Sequence, residues 1–95
     1  MDKFEFEWNN DKNLLLIQER NVCFEDIVTC MENDKLLDII KNPSVDRSNQ
    51  FCMIVNISDY AYVVPFVKNG NVFFLKTIYK SRKQTKKYLR GDRNE

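Results

Sequence analysis

FCMIVNISDYAYVVPFVKNGNVFFLKTIY, Phe51 to Tyr79, decides the fold. Three runs of β-branched, aromatic and other apolar residues stand in it, Phe51 to Ile57, Tyr60 to Val67 and Val72 to Tyr79. Each has the length and composition of a strand. The links between them, Ser58-Asp59 and Lys68-Asn69-Gly70-Asn71, are too short for a crossover, so consecutive strands must pair antiparallel as a meander. The Asn69-Gly70 pair accepts positive φ at both central positions of a type I′ turn. Pro65 has no amide hydrogen to give a ladder, so the middle strand should carry an edge-facing position or a bulge there.

Upstream of the meander, Leu36 to Ile40 reads as a further strand, with a β-branched end and the Asn42-Pro43 break after it. Lys41 to Gln50 is polar and reads as a loop. Phe24, Ile27, Val28 and Met31 recur at helical spacing while Glu25, Asp26 and Glu32 take the other side, which predicts an amphipathic helix with acids in its first turn. Asn9-Asn10-Asp11 supplies cap residues for a helix over Lys12 to Glu19. Its Leu14-Leu15-Leu16-Ile17 block is apolar on most sides, so the rest of the domain is expected to cover it. Lys3 to Trp8 alternates Phe4, Phe6 and Trp8 with charged residues, the period of a half-buried strand. Downstream, Ser81-x-x-Gln84 is a capping-box pattern opening a helix over Arg82 to Arg90.

The expected order is β-α-α-β-β-β-β-α, an α+β domain with a mostly antiparallel sheet and its helices packed to one side or end. Ninety-five residues, 43% of them hydrophobic, suit one domain over 1–95 that buries roughly 60 to 65% of its unfolded surface. No run approaches the ~18 to 20 apolar residues of a membrane span, and the acidic, alternating start differs from a signal peptide. A cytoplasmic protein with no membrane partner is expected.

Cys23, Cys30 and Cys52 form no C-x-x-C pair and histidine is absent, so neither a zinc site nor a disulfide framework is expected, and no cofactor is implied. Cys30 and Cys52 sit among apolar residues and should be buried. Without histidine, the usual proton-transfer side chain near neutral pH is missing.

Charge is split along the chain. Lys76 to Glu95 holds eight basic residues against Asp92 and Glu95, while residues 1–75 hold seven against twelve acids. Such a split points to an anionic partner for the basic end. Lys76 falls in an apolar row with Val72, Phe74 and Ile78, so it should either pair with an acid such as Asp38 or emerge at a wet concave face. Arg82, Lys83, Lys86, Lys87 and Arg90 cover more than one face of the last helix, with Tyr88 and Leu89 as anchors to the sheet. Like charges four apart weaken a helix, and phosphate contacts would give them a use. Tyr60, Tyr62, Phe66, Phe73 and Tyr79 are possible stacking surfaces for unpaired bases, although aromatic residues at strand spacing usually pack.

The chain also resembles the BrnT-type toxins, which share the RelE-like ribonuclease fold. The resemblance rests on Phe6-Glu7-Trp8, Asp11-Lys12-Asn13, Arg20-Asn21-Val22-Cys23-Phe24-Glu25-Asp26, and Lys76 to Thr85 followed by Tyr88. It departs where Arg20 and Asn21 replace the family's histidine and glycine, and Lys76 stands where arginine is frequent. It implies a type II toxin that cuts RNA without a metal and is silenced by a small ribbon-helix-helix-like DNA-binding antitoxin. On that reading Lys76, Arg82 and Lys83 contact phosphate and the transition state, with Arg20 and Tyr79 beside them. Lys80, Lys86, Lys87, Tyr88 and Arg90 bind RNA. The alternatives are an RNA-binding module that does not cut, or a protein-interaction domain whose basic helix docks an acidic partner.

Overall fold

The computed structural model describes residues 4–42 and 49–91. They form a small α+β domain of nine elements: β1 (Glu5–Glu7), α1 (Asn10–Arg20), α2 (Phe24–Glu32), β2 (Leu36–Lys41), β3 (Gln50–Ile57), β4 (Tyr60–Asn69), β5 (Val72–Leu75), β6 (Tyr79–Lys80) and α3 (Arg82–Tyr88). Most of the expected loop over 41–50, and the acids and Arg93 of the tail, lie outside the described residues; Lys41 and Gln50 themselves are in strands.

The expected meander is the centre of the sheet. Strand order is β1-β5-β4-β3-β2, with β6 pairing β4 off that path. β2–β3, β3–β4, β4–β5 and β4–β6 are antiparallel, but β1 joins β5 in parallel, so the sheet is mixed. The turn chemistry is distributed differently from the expectation. Ser58 and Asp59 both take positive φ, as a type I′ turn requires, and the Asn56 side chain accepts from the Asp59 amide at 2.9 Å. In the second link Asn69 still belongs to β4, Gly70-Asn71 are the central residues, and only Gly70 has positive φ (58°). That is the type II′ pattern.

The single last strand expected over Val72 to Tyr79 is broken into β5 and β6, which adds an element to the order. Pro65 is the cause. Its carbonyl accepts from the Lys76 amide at 2.8 Å, so the side of β4 that lacks the Pro65 amide hydrogen faces this strand. Phe66 pairs with Leu75 and Val63 with Tyr79, so three residues, 76–78, oppose two. This is the bulge that the proline made one of two options.

Two apolar clusters occupy opposite faces of the sheet. On one, Leu16, Phe24, Ile27 and Cys30 from α1 and α2 pack on Met53, Val55, Tyr62, Val64 and Phe66. On the other, Tyr88 and Leu89 cover Cys52, Ile54, Ala61 and Val63. Because alternate strand residues face opposite ways, α3 must lie on the face away from α1 and α2, which corrects the expectation of helices on one side or end. Cys30 and Cys52 are buried, as their neighbours implied. Asn13 clamps the two front helices, accepting from the Phe24 amide at 2.7 Å and donating to Glu25 at 2.8 Å.

Only Leu16 of the Leu14–Ile17 block is covered. Leu14, Leu15 and Ile17 are 60%, 43% and 46% exposed, because the inward stripe of α1 is Asn13 and Leu16. Among the described residues no helix is long and apolar enough to cross a membrane.

Candidate nucleic-acid interface

The break between β5 and β6 is held open by a residue from the far end of α1. β6 pairs only with β4, and the Arg20 guanidinium reaches this segment through Nη1, which donates to the Ile78 carbonyl at 2.6 Å and lies 3.4 Å from Thr77 Oγ1. Nε and Nη2 of Arg20 make no hydrogen bond among the described residues. One edge of the guanidinium is therefore spent on the fold and the other is unspent among the described residues. A planar fork with five donors suits that division, whereas a lysine ammonium would not.

Asn21 makes the geometry possible. It closes α1 in the left-handed conformation (φ 57°, ψ 35°), with its amide donating to the Ile17 carbonyl at 3.2 Å. Asparagine is among the few residues other than glycine that visit this region readily. The chain then turns sharply, leaving a hollow of about 540 Å3 between the end of α1 and the strands. Gln18, Glu19, Arg20 and Asn21 line one side, and Tyr62, Tyr79 and Lys80 the other.

Of the residues named from sequence, the hollow collects Arg20, Tyr62, Tyr79 and Lys80. It does not include Lys76, Arg82 or Lys83. These three are exposed and form no ion pair among the described residues; Lys76 is not paired with Asp38 and instead sets its Nζ 5.5 Å from the Phe74 ring centroid. Lys86 and Lys87 are exposed on α3, with Lys87 Nζ 5.2 Å from the Tyr88 ring centroid. Arg90 is occupied: Nη1 meets Asp59 Oδ2 at 3.2 Å and Nη2 donates to the Asp59 carbonyl at 3.0 Å.

Helix α3 holds this basic surface to the sheet through a short polar chain. Ser81 caps it, accepting from the Gln84 amide at 3.1 Å. The reciprocal half of the capping box is missing, because the Ser81 amide donates to the Ala61 carbonyl at 3.0 Å and Gln84 Oε1 has no hydrogen-bond partner among the described residues. Thr85, almost fully buried, accepts from the Ala61 amide at 2.8 Å and donates to the Ser81 carbonyl at 2.7 Å. The helix closes at Tyr88, two residues before the expected end, where the Leu89 and Arg90 amides both return to the Thr85 carbonyl.

The tyrosines differ in what they can do. Tyr88 is spent as an anchor: its hydroxyl donates to Asp38 Oδ2 at 2.5 Å, and that bond, with burial and the Asp38 charge, pushes its pKa up to about 12. The same bond, followed by one from the Ile39 amide, holds the Asp38 carboxyl below the usual carboxylate range. Tyr79 is 41% exposed at the hollow, and burial of the rest of it, with Cys52 nearby, raises its pKa. At neutral pH its phenol keeps its proton and donates hydrogen bonds. Phe66 and Phe73 are not stacking surfaces, since they stack on each other in the core at 4.7 Å.

Gln18, Glu19 and Asn21 were not marked as site residues by sequence. Arg20 could have pointed to its neighbours, but only the turn at Asn21 shows that they share a hollow. Among the described residues no three acidic or cysteine side chains come together to hold a metal ion. No protein-family model matches the chain, and neither a curated protein nor a solved structure does.

Proposed function

We propose that this protein is an endoribonuclease toxin of a type II toxin–antitoxin pair, with the RelE-like fold of the BrnT-type toxins. One observation carries the reading: Arg20 and the Tyr79-Lys80 pair, far apart in the chain, meet around one hollow at the strand break, with uncommitted cations continuing onto α3. The chemistry that suits them is attack of an RNA 2′-hydroxyl, its proton passing to solvent water, on the adjacent phosphorus, expelling the 5′-oxygen of the next nucleotide and leaving a 2′,3′-cyclic phosphate. Arg20 and Lys80 offset the charge that builds on the phosphoryl oxygens. Tyr79 donates a hydrogen bond to phosphate or its proton to the leaving oxygen. Arg82, Lys83, Lys86 and Lys87 hold the flanking backbone by displacing counterions.

The antitoxin is proposed as a small ribbon-helix-helix-like protein in the same cytoplasm. The exposed Leu14, Leu15 and Ile17 of α1 offer apolar surface of the kind protein partners cover. A second reading, an RNA-binding module that does not cut, is favoured by the chain's lack of histidine and by the burial that raises Tyr79 above the ordinary tyrosine range and makes it a poor base. Expression in a bacterium separates the two. Wild-type protein should arrest growth, and Arg20→Ala or Arg82→Ala should relieve it while the protein stays soluble and folded. Normal growth with abundant folded wild type would remove the toxin reading.

A further inference from the structure

Resting on the ribonuclease reading, we propose that the hollow is a nucleobase subsite, and that Glu19 makes it select guanine from single-stranded RNA. Its volume, about 540 Å3, falls in the roughly 300–1,000 Å3 range of small-ligand sites, so it can admit a nucleotide, and reading a Watson–Crick edge requires an unpaired base. Its lining has the parts a nucleotide needs. Tyr62 and Tyr79 give aromatic surface, and Tyr62 is held rigidly because it is buried in the core. Arg20 and Lys80 give positive charge for the phosphates, and the Arg20 fork is already fixed through Ile78.

Glu19 is the lining residue that a phosphate site does not explain. It is the hollow's one acid. It stands in the last turn of α1, where the negative end of the helix dipole disfavours a carboxylate, and it has no ion-pair partner among the described residues. Near an RNA backbone it would repel. Facing a base edge it is useful, because a carboxylate only accepts hydrogen bonds and accepts two side by side. Guanine is the base whose Watson–Crick edge presents two adjacent donors, N1–H and the 2-amino group. Adenine and cytosine each offer one amino group, and uracil one imino hydrogen. Gln18 and Asn21, on the same rim, can serve the remaining guanine acceptors.

The test uses 2′-O-methyl oligouridine pentamers, which block cleavage, with G, A, C, U or inosine at the centre and binding read by fluorescence anisotropy. The central guanine should bind about tenfold tighter than the other standard bases, within the range of one bidentate contact. Inosine, which lacks the 2-amino group, should lose most of that gain. Glu19→Gln should bring guanine to within about twofold of uridine while leaving the slope of affinity against salt unchanged. Equal binding of all five pentamers, with normal salt dependence, would overturn guanine selection and leave RNA binding standing. A guanine preference that survives Glu19→Gln overturns the role given to Glu19. Absence of binding to every pentamer at low salt would remove the RNA reading itself.

Discussion

Thr85→Val tests how the basic helix is fastened to the sheet. Valine keeps the shape of threonine and removes only the hydroxyl, which accepts from the Ala61 amide at 2.8 Å and donates to the Ser81 carbonyl at 2.7 Å. Ala61 is fully buried, so its amide hydrogen is left without a partner in a place water does not reach. An orphaned buried donor costs about 1–3 kcal/mol. Unfolding entropy of about 2.1 cal/mol/K per residue makes 1 kcal/mol worth about 5 °C in Tm for 95 residues. Taking the middle of the range, Thr85→Val should melt about 10 °C below the parent by circular dichroism, whereas Thr85→Ser, which keeps the hydroxyl, should recover most of the loss. A Thr85→Val protein melting within about 2 °C of the parent would show that this hydroxyl does not carry the attachment of α3.

The Tyr88–Asp38 bond has a signature at alkaline pH. Folded Tyr88 titrates at about 12, above the ~10 of an unfolded tyrosine, so the stability it adds is full below pH ~10 and is lost as pH rises through about 12. Tyr88→Phe should therefore remove the highest tyrosinate step in an ultraviolet titration; a step near 12 that persists assigns it elsewhere. At Asn21, glycine should be neutral and valine should cost about 1–2 kcal/mol in denaturant unfolding, because the position has φ 57°. Equal stability of the two would contradict the left-handed turn. Lys83→Glu with Lys86→Glu should weaken single-stranded RNA binding and flatten its salt dependence, and RNA retention unaffected by the pair would point to the protein-docking alternative.

The meander was legible because short links leave consecutive strands one way to pair, and Pro65 announced an irregularity by its missing amide. The consequence of that proline for the neighbouring strand was harder to see. It required knowing which side of β4 faces β5, a register fact that no single strand contains. The placement of α3 was present in an overlooked form: Cys52-Met53-Ile54-Val55 and Ala61-Tyr62-Val63-Val64 are unbroken apolar runs, the mark of strands covered on both faces.

Leu14, Leu15 and Ile17 misled for a physical reason. Apolar residues around a helix say only that burial is favourable, and here the neighbours that dock α1 use Asn13 and Leu16 instead. The cations were readable as a class from sequence, but their division was not. Arg90 is tied to Asp59, Arg20 to the Ile78 carbonyl, and Lys76 is free of both. Glu19 gave only one local signal, an acid in the last turn of a helix, and its significance comes from sharing a hollow with Lys80 and Tyr79.

Incubation of purified protein with end-labelled single-stranded RNA in excess EDTA is the most direct trial of backbone contact followed by attack from within the RNA. It should yield fragments ending in 2′,3′-cyclic phosphate, slowly, with Arg20→Ala inactive and the all-deoxy version of the same sequence uncut. RNA that stays intact at a large excess of folded protein, or DNA cut as readily as RNA, would contradict it.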